Sequence, residues 1–334
     1  MKKLTSAFFL LLIVCLNFVK ADAQTKQSVK PNSKKIHQPF VIESSPALQT
    51  LLDAAVGETL NGYAPKNLTA DNVAATLIDL RDPNNLKMGS YRGEQKIYPA
   101  SVVKMFYMAA IHQWLEDGKI KTLSPELTRG VKDMIVDSSN EATQYILDVL
   151  TDTSSGGELP AREFAAWSYK RNAVNRYFAS LGYQNINVNQ KTHCEDAYGR
   201  EQQFRNYKGE NRNMLTTDAT ARLMTKIALG KSVSQERSRQ MMDLMKRDFS
   251  GTSKDADDQA HGFTAIALNE LNLKDAKLWS KAGWTSKSRH DAAYVETPDG
   301  LKFVLVVFTE NFAEERGIIP SIANKIIKNF KQTR

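Results

Sequence analysis

The sequence predicts an α+β fold in which one antiparallel sheet is flanked by the terminal helices and accompanied by an all-helical subdomain. Segments rich in β-branched and aromatic residues, typical of strands, occur near both ends of the chain. Between them, from residue 99 to residue 259, the apolar residues recur at helical spacing. Strands from the two ends therefore have to meet in one sheet, and the central helices form their own layer.

The first part of the chain supplies a helix and two strands. Ser45 and Pro46 are typical of a helix N-terminus, and apolar residues at helical spacing follow them. A strand is predicted over 73–82, ending in the turn Asp82-Pro83-Asn84-Asn85, and a returning strand over 86–98. The helical periods that follow cover residues 101–117, about 126–150, 172–182, 216–229 and 235–247.

The last part of the chain returns to strands. AKLWSKAGWT, HDAAYVETPDG and LKFVLVVFTEN are each typical of a short strand, and Pro298-Asp299-Gly300 forms a tight turn between the last two. PSIANKIIKNFKQ then closes the chain as an amphipathic helix. Two polar segments, TDTSSGGELP and KDADDQ, are predicted to be exposed loops.

The N-terminus has the layout of a secretory signal peptide. Two lysines precede an apolar stretch, and Ala21-Asp22-Ala23 offers a small-residue cleavage site. A lipoprotein signal at Cys15 is the alternative, although Val14 is bulky where a small residue is expected. No later segment is long and apolar enough to cross a membrane. We therefore expect a secreted or periplasmic protein without a membrane span, cleaved near Ala23.

The expected domain organisation follows from these segments. Residues 1–23 are the signal peptide, and 24–44, which are polar and contain proline and lysines, are a flexible linker. Residues 45–334 form the folded domain, which has an α/β part and a helical part. The α/β part covers 45–98 and 260–334, and the helical part covers 99–259.

Charge and composition disfavour several functions. The chain has a net charge of +8; losing Lys2, Lys3, Lys20 and Asp22 with the signal peptide lowers it to +6. This moderate excess, without a basic helix or an aromatic platform, does not favour nucleic-acid binding. The five histidines are scattered without ligand-like spacing, so we expect no metal and no other cofactor. Cys194 is expected to be a packed or idle thiol.

The stretch YPASVVKMFYMAA places Ser101 and Lys104 three residues apart at the start of an apolar helix. Residues at this spacing share a helix face, and a helix N-terminus offers free backbone N–H groups to a developing anion. Partial desolvation of the lysine would lower its pKa and let it take the serine proton. Taken alone, the pair could equally be a capping serine and a lysine whose amine reaches solvent.

Two further motifs follow along the chain. In MIVDSSNEATQYIL, Ser138 and Asn140 lie two residues apart at the start of a helix, where they could bind a substrate amide or simply cap the helix. In LWSKAGWTSKSRHDAAYV, Lys281 ends an apolar strand, and Gly283 lets the backbone approach a ligand closely. Lys281 could bind a carboxylate or face solvent at an ordinary strand end.

Taken together in this order, the three motifs resemble those of the penicillin-recognising serine enzymes, closest to the class A β-lactamases. The resemblance extends from about residue 45 to the C-terminus and includes LTTDATARLM, similar to the helix start after the omega loop of that family. It implies a β-lactamase/transpeptidase-like fold. It also implies roles for individual residues: Ser101 is the acylated nucleophile, Lys104 its proton-transfer partner and Ser138 the relay to the leaving nitrogen.

The resemblance assigns substrate binding as well. Asn140 would hold the substrate amide, and Lys281 the substrate carboxylate, beside Gly283 and Thr285. The backbone N–H groups of Ser101 and Trp284 would form the oxyanion hole. Class A enzymes also need an omega-loop glutamate for hydrolysis of the acyl-enzyme, and among Glu195, Glu201 and Glu210 the spacing favours Glu201.

The sequence departs from the family pattern in three places. Ser139 replaces the usual aspartate between Ser138 and Asn140, and Ala282 replaces the hydroxyl residue that normally follows the lysine. Loss of that hydroxyl removes one hydrogen bond to the substrate carboxylate, worth about 1–3 kcal/mol. Thr285, Ser286 or Arg289 could compensate. The segment between Lys104 and Ser138 is also shorter than usual, which reduces the wall beside the substrate.

The predicted function is that of an exported serine hydrolase that opens β-lactam rings through an acyl-enzyme on Ser101. Such a protein would act in the periplasm, confer antibiotic resistance and be a monomer. The alternative with the same chemistry is a D-Ala-D-Ala carboxypeptidase or a related cell-wall peptide hydrolase, which penicillin would trap. A non-catalytic envelope-binding protein is the alternative from another class.

Overall fold

The structure, a computed structural model, describes residues 40–193 and 196–330. Residues from Val41 onward form one compact unit. The predicted signal peptide, most of the predicted linker, Cys194 and Glu195 lie outside the described residues. The end of the predicted linker does belong to the sheet, because Glu43 and Ser44 pair with a neighbouring strand.

The described residues contain one seven-stranded sheet, which confirms the predicted α+β fold class. Its strands are β1 (Glu43–Ser44), β2 (Val73–Asp79), β3 (Lys87–Tyr91), β4 (Lys246–Arg247), β5 (Lys277–Trp284), β6 (Ser288–Glu296) and β7 (Lys302–Glu310). They lie in the order β1-β3-β2-β7-β6-β5-β4, and every neighbouring pair is antiparallel except β1 with β3. The two ends of the chain thus meet where β2 pairs with β7.

Eleven α-helices accompany the sheet in the described part of the chain. They are α1 (Pro46–Tyr63), α2 (Val103–Glu116), α3 (Pro125–Ile135), α4 (Asn140–Thr151), α5 (Ala161–Arg171), α6 (Ala173–Ser180), α7 (Gly199–Arg205), α8 (Thr217–Ala228), α9 (Gln235–Met245), α10 (Thr264–Glu270) and α11 (Ile318–Asn329). Ser45 caps α1 as predicted, its hydroxyl accepting a hydrogen bond from the backbone N–H of Leu48.

Several boundaries differ from the sequence prediction. The single helix predicted over about 126–150 is two helices, α3 and α4, separated by the loop that holds Ser138. The returning strand ends at Tyr91 because Arg92 adopts a left-handed φ of 50° and turns the chain. The helix predicted to 247 ends at Met245 because Lys246–Arg247 pair with β5. Helices α5, α7 and α10 were not predicted.

Helices cover the sheet on both faces. Alternate residues of β2 and β7, such as Leu77 and Leu305, belong to the core cluster that includes side chains of α1, α10 and α11. The residues between them face the helical block, where Thr76 on β2 donates a hydrogen bond to Thr217 on α8. Burial of both faces explains why these strands are nearly continuous apolar runs.

Helix α2 passes through the centre of the helical block. Of its fourteen residues, only Gln113 and Glu116 are not buried. A helix that is apolar all round has to be enclosed by other elements. Two polar side chains of α2, Lys104 and His112, are therefore held in the interior of the protein.

Candidate active site

Ser101 lies where the chain enters α2. It belongs to a short 3₁₀ turn, Ala100–Val102, that leads directly into the helix. Ala100 has a φ of 46°, a left-handed conformation that costs a non-glycine residue about 1–3 kcal/mol. Strain of this kind is concentrated at functional sites, since the surrounding packing has to hold it in place.

Lys104 lies in the first turn of α2 and has no exposed surface. Its Nζ donates hydrogen bonds to the carbonyl oxygen of Ser138 at 2.5 Å and to Oδ1 of Asn140 at 2.8 Å, with Ser138 Oγ at 3.3 Å. The alternative in which this amine reaches solvent is therefore wrong. The structure brings the first and second motifs together at this amine.

The second motif forms the loop between α3 and α4. Ser139 is the N-cap of α4, because its hydroxyl accepts a hydrogen bond from the backbone N–H of Ala142 at 3.0 Å. Serine and aspartate are about equally good N-caps, which accounts for the departure at this position. Capping by Ser139 leaves Ser138 and Asn140 available to Lys104. Ser138 itself has a left-handed φ of 58°, the second strained residue at the site.

Lys281 lies on β5 and is also fully buried. Its Nζ donates to Ser138 Oγ at 2.9 Å, to Ala282 O at 2.7 Å and to Gln259 Oε1 at 2.5 Å. Burial lowers the pKa of Lys281 well below its usual value, and the nearby charge of Lys104 lowers it further. Ser138 thus lies between two buried lysines, one from each part of the fold.

Strand β5 runs close to the start of α2. A Cβ atom built on Gly283 would lie 2.6 Å from the backbone nitrogen of Ser101 and 2.8 Å from that of Val102. Real Cβ atoms essentially never approach so closely, so this position requires glycine. Trp284, the next residue, is 37% exposed beside this contact. Thr285 closes the turn to β6, its hydroxyl accepting from the backbone N–H groups of Lys287 and Ser288.

Glu201 lies on α7 and is 2% exposed. Arg171 donates to both of its carboxylate oxygens, at 2.7 and 2.9 Å, and Ser155 donates to Oε1 at 2.9 Å. Lys191 completes the group, 3.4 Å from Oε1. Burial by itself would raise the pKa of Glu201, but the two cations hold it below its usual value. None of these partners is among the other predicted site residues.

Arg289 and His290, near the start of β6, already have hydrogen-bond partners within the protein. Arg289 is 2% exposed, donates to Asp257 Oδ1 at 2.6 Å and to Gly262 O at 2.6 Å, and lies over the ring of Phe263. His290 Nδ1 accepts from the backbone N–H of Thr309, so its Nε2 donates to Tyr98 O at 2.9 Å. Burial lowers the pKa of His290 to about 4, which keeps it neutral.

Sequence reasoning missed two residues that organise the site. Gln259, at the end of a segment predicted to be exposed, is 7% exposed and accepts from Lys281. Asn213 joins the two ends of the segment that carries Glu201: its Oδ1 accepts from the backbone N–H groups of Asn189 and Gln190. Neither side chain lies in a motif, and only the folded chain brings it to its partners.

The described residues contain neither a candidate membrane-spanning helix nor a candidate metal site. None of the described helices has the length and apolarity that crossing a membrane demands. Among the same residues, no three His, Cys, Asp or Glu side chains are grouped so that they could hold a metal ion.

The fold and the three converging motifs define a serine hydrolase of the β-lactamase type. The sequence profile of the Beta-lactamase enzyme family matches residues 58–330, and the chain belongs to that family. A comparison with curated proteins found no match.

Solved structures share the fold at low sequence identity. A β-lactamase from Sphaerobacter thermophilus has a TM-score of 0.60 and 19% identity, over 85% of this chain and 98% of its own. PBP-A has a TM-score of 0.57 and 17% identity, over 87% and 98%. The TLA-3 extended-spectrum β-lactamase has a TM-score of 0.57 and 15% identity, over 84% and 99%.

Proposed function

We propose that the protein is an exported serine hydrolase that opens β-lactam rings through an acyl-enzyme on Ser101. The contacts of Lys104 carry the proposal. The carbonyl oxygen of Ser138 and Oδ1 of Asn140 can only accept hydrogen bonds, so both fix N–H groups of this amine. These bonds hold the amine in the first turn of α2, three residues from Ser101, where it takes the Ser101 proton once it has lost its own.

The reaction begins at Ser101. Its Oγ attacks the carbonyl carbon of the ring while its proton passes to Lys104, and the carbonyl oxygen becomes an oxyanion. The backbone N–H groups of Ser101 and Trp284 stabilise that charge, which the close approach of Gly283 to Ser101 supports. The C–N bond of the ring then breaks, and the nitrogen takes a proton through Ser138. Water finally hydrolyses the ester on Ser101.

Substrate binding is assigned to the groups around this centre. Asn140 holds the substrate amide, and Lys281 attracts the carboxylate that β-lactams and peptide C-termini both carry. Thr285 lies in the turn that follows β5, next to the exposed Trp284. The signal peptide over residues 1–23 is part of the same proposal, since an enzyme of this class meets its substrates outside the cytoplasm.

Glu201 is the proposed base for hydrolysis of the acyl-enzyme, and its contacts make that step slow. A general base acts best with a pKa near the working pH, whereas Arg171 and Lys191 hold the pKa of Glu201 low. This observation favours a second candidate, a cell-wall peptide hydrolase such as a D-Ala-D-Ala carboxypeptidase, which would keep a β-lactam as a stable adduct.

A time course with a chromogenic cephalosporin separates the two candidates. Intact-mass spectrometry follows the adduct on Ser101 in the same samples, and Ser101→Ala is the control. Many turnovers with a transient adduct, stalled as an adduct by Glu201→Gln, support the β-lactamase with Glu201 as base. A stoichiometric adduct that persists supports the peptidase. If neither product nor adduct forms, the proposed function is wrong.

A further inference from the structure

Gln259 connects the two parts of the active site through one side-chain amide. Its Oε1 accepts from Lys281 Nζ at 2.5 Å and from the backbone N–H of Ala282 at 3.3 Å, both on β5. Its Nε2 donates to the carbonyl oxygen of Val136 at 2.9 Å and, more weakly, to that of Ile135 at 3.4 Å. Val136 lies two residues before Ser138, so the amide spans the gap between the third motif and the second.

These bonds restrict where Lys281 can point. Gln259 Oε1 and the carbonyl oxygen of Ala282 accept from the amine, and Ser138 Oγ lies at its third position. The amine is thereby held against Ser138, and its charge lies beside that hydroxyl. Ala282 has no hydroxyl, and its backbone N–H donates to Gln259 Oε1.

The charges that face Lys281 come from three elements. Lys104 on α2 and Arg247 on β4 are cations, and Asp291 on β6 is the anion among them. Asp291 is buried against Thr264, and burial raises its pKa. Burial likewise lowers the pKa of Arg247 to about 10. Gln259, in direct contact with the amine, is neutral and adds no counter-charge.

We propose that Gln259 is a positioning residue of this active site, which holds Lys281 against Ser138 and so sets the capture of the substrate carboxylate. The inference rests on the proposed function, because it assigns the carboxylate of the substrate to Lys281. The sequence offered Thr285, Ser286 and Arg289 as replacements for the lost hydrogen bond to the substrate carboxylate, and none of them is among the described hydrogen-bond partners of Lys281.

The first test compares a penicillin with its methyl ester. We expect Gln259→Leu to lower the second-order acylation constant of the penicillin about ten- to one-hundred-fold, the size of a lost hydrogen bond to a charged group. The acylation constant of the ester, which offers Lys281 no charge, should change less than threefold. Gln240→Leu on the surface of α9 is the matched control and should change neither. Equal losses for acid and ester would indicate a merely structural role and overturn the inference.

The second test does not depend on acylation. In protein labelled with [ε-¹³C]lysine, the Lys281 resonance is assigned by its loss in Lys281→Arg and titrated by NMR. Gln259→Glu keeps the shape of the side chain, so it remains usable if Gln259→Leu does not fold. It should raise the titration midpoint of Lys281 by at least about one pH unit. An unchanged midpoint overturns the inference. If the wild type forms no adduct with a β-lactam but Gln259→Glu still raises the Lys281 midpoint, only the proposed function is refuted.

Discussion

Replacing Gly283 by alanine should slow acylation strongly while the protein remains folded. The Cβ atom would lie 2.6 Å from the nitrogen of Ser101 and 2.9 Å from the oxygen of Pro99, and both are backbone atoms. Ordinary contacts begin near 3.4 Å, so β5 has to withdraw by about 0.8 Å (3.4 minus 2.6). No flexible side chain can absorb that shift.

The expected loss follows from where the shift acts. Strand β5 carries the backbone N–H of Trp284. When β5 withdraws, this N–H moves away from Ser101, the other member of the proposed oxyanion hole. A misplacement of about 1 Å costs about a hundredfold in rate, and loss of one oxyanion donor costs about 100- to 1,000-fold. We therefore expect the acylation constant of Gly283→Ala to fall by about two to three orders of magnitude.

Labelling with a fluorescent penicillin, followed over time and normalised to folded protein by circular dichroism, measures this loss. Gly57→Ala is the matched control, because a Cβ on Gly57, inside α1, meets nothing within 4 Å. It should leave acylation unchanged and raise the free energy of unfolding by about 0.5–1 kcal/mol. If folded Gly283→Ala acylates within threefold of the wild type, the close approach of β5 does not build the oxyanion hole and the reasoning is refuted.

Two further predictions concern stability. Arg171→Met should lower the free energy of unfolding by about 3–5 kcal/mol, because it leaves the buried carboxylate of Glu201 with too little compensating charge; urea denaturation measures it, and a loss below 1 kcal/mol would contradict it. His112 is buried, both its ring nitrogens lack a partner, and burial lowers its pKa to about 4. Only the unfolded state gains its proton as the pH falls from about 6.5 to 4, so stability is lost over that range and kept above it. His112→Leu should therefore flatten the decrease in melting temperature between pH 7 and pH 4.5, and an unchanged decrease would contradict this.

The elements that could be predicted from the sequence are those determined by local pattern. Strands β5, β6 and β7 are short segments typical of strands that lie between turn residues, and α1 begins at a Ser-Pro pair. The break between α3 and α4 could not be seen in this way. It occurs at Ser138, whose left-handed φ is imposed by the surrounding structure, and neither glycine nor proline marks the position.

Of the candidate site, only the residues that belong to sequence motifs could be predicted. Ser101, Lys104, Ser138, Asn140 and Lys281 were chosen by spacing and resemblance, and the structure gathers the last four around two amines. The same reasoning could not foresee that the carboxylate of Glu201 would face an arginine from α5, or that an amide from a loop would reach β5. Contacts between side chains far apart in sequence depend on packing, which leaves no local pattern.

Under the proposed function, we expect the two lysines at Ser138 to favour negatively charged substrates. Their Nζ atoms lie 3.3 and 2.9 Å from Ser138 Oγ. Since these distances add to about 6 Å, two ammonium groups there would repel by at least about 3 kcal/mol at an effective dielectric constant of 20. Burial and this repulsion both lower the pKa of Lys281.

A carboxylate that enters beside Lys281 opposes both effects. It stabilises the charged form of the amine, so binding of the substrate carboxylate and the pKa of Lys281 are linked. A ligand without a carboxylate lacks this interaction with Lys281, whether it presents a ring or a peptide bond to Ser101. Because a β-lactam and a peptide with a free C-terminus both carry the carboxylate, the requirement for charge holds for either candidate function. The two candidates differ only in the step that follows, which is the fate of the ester on Ser101.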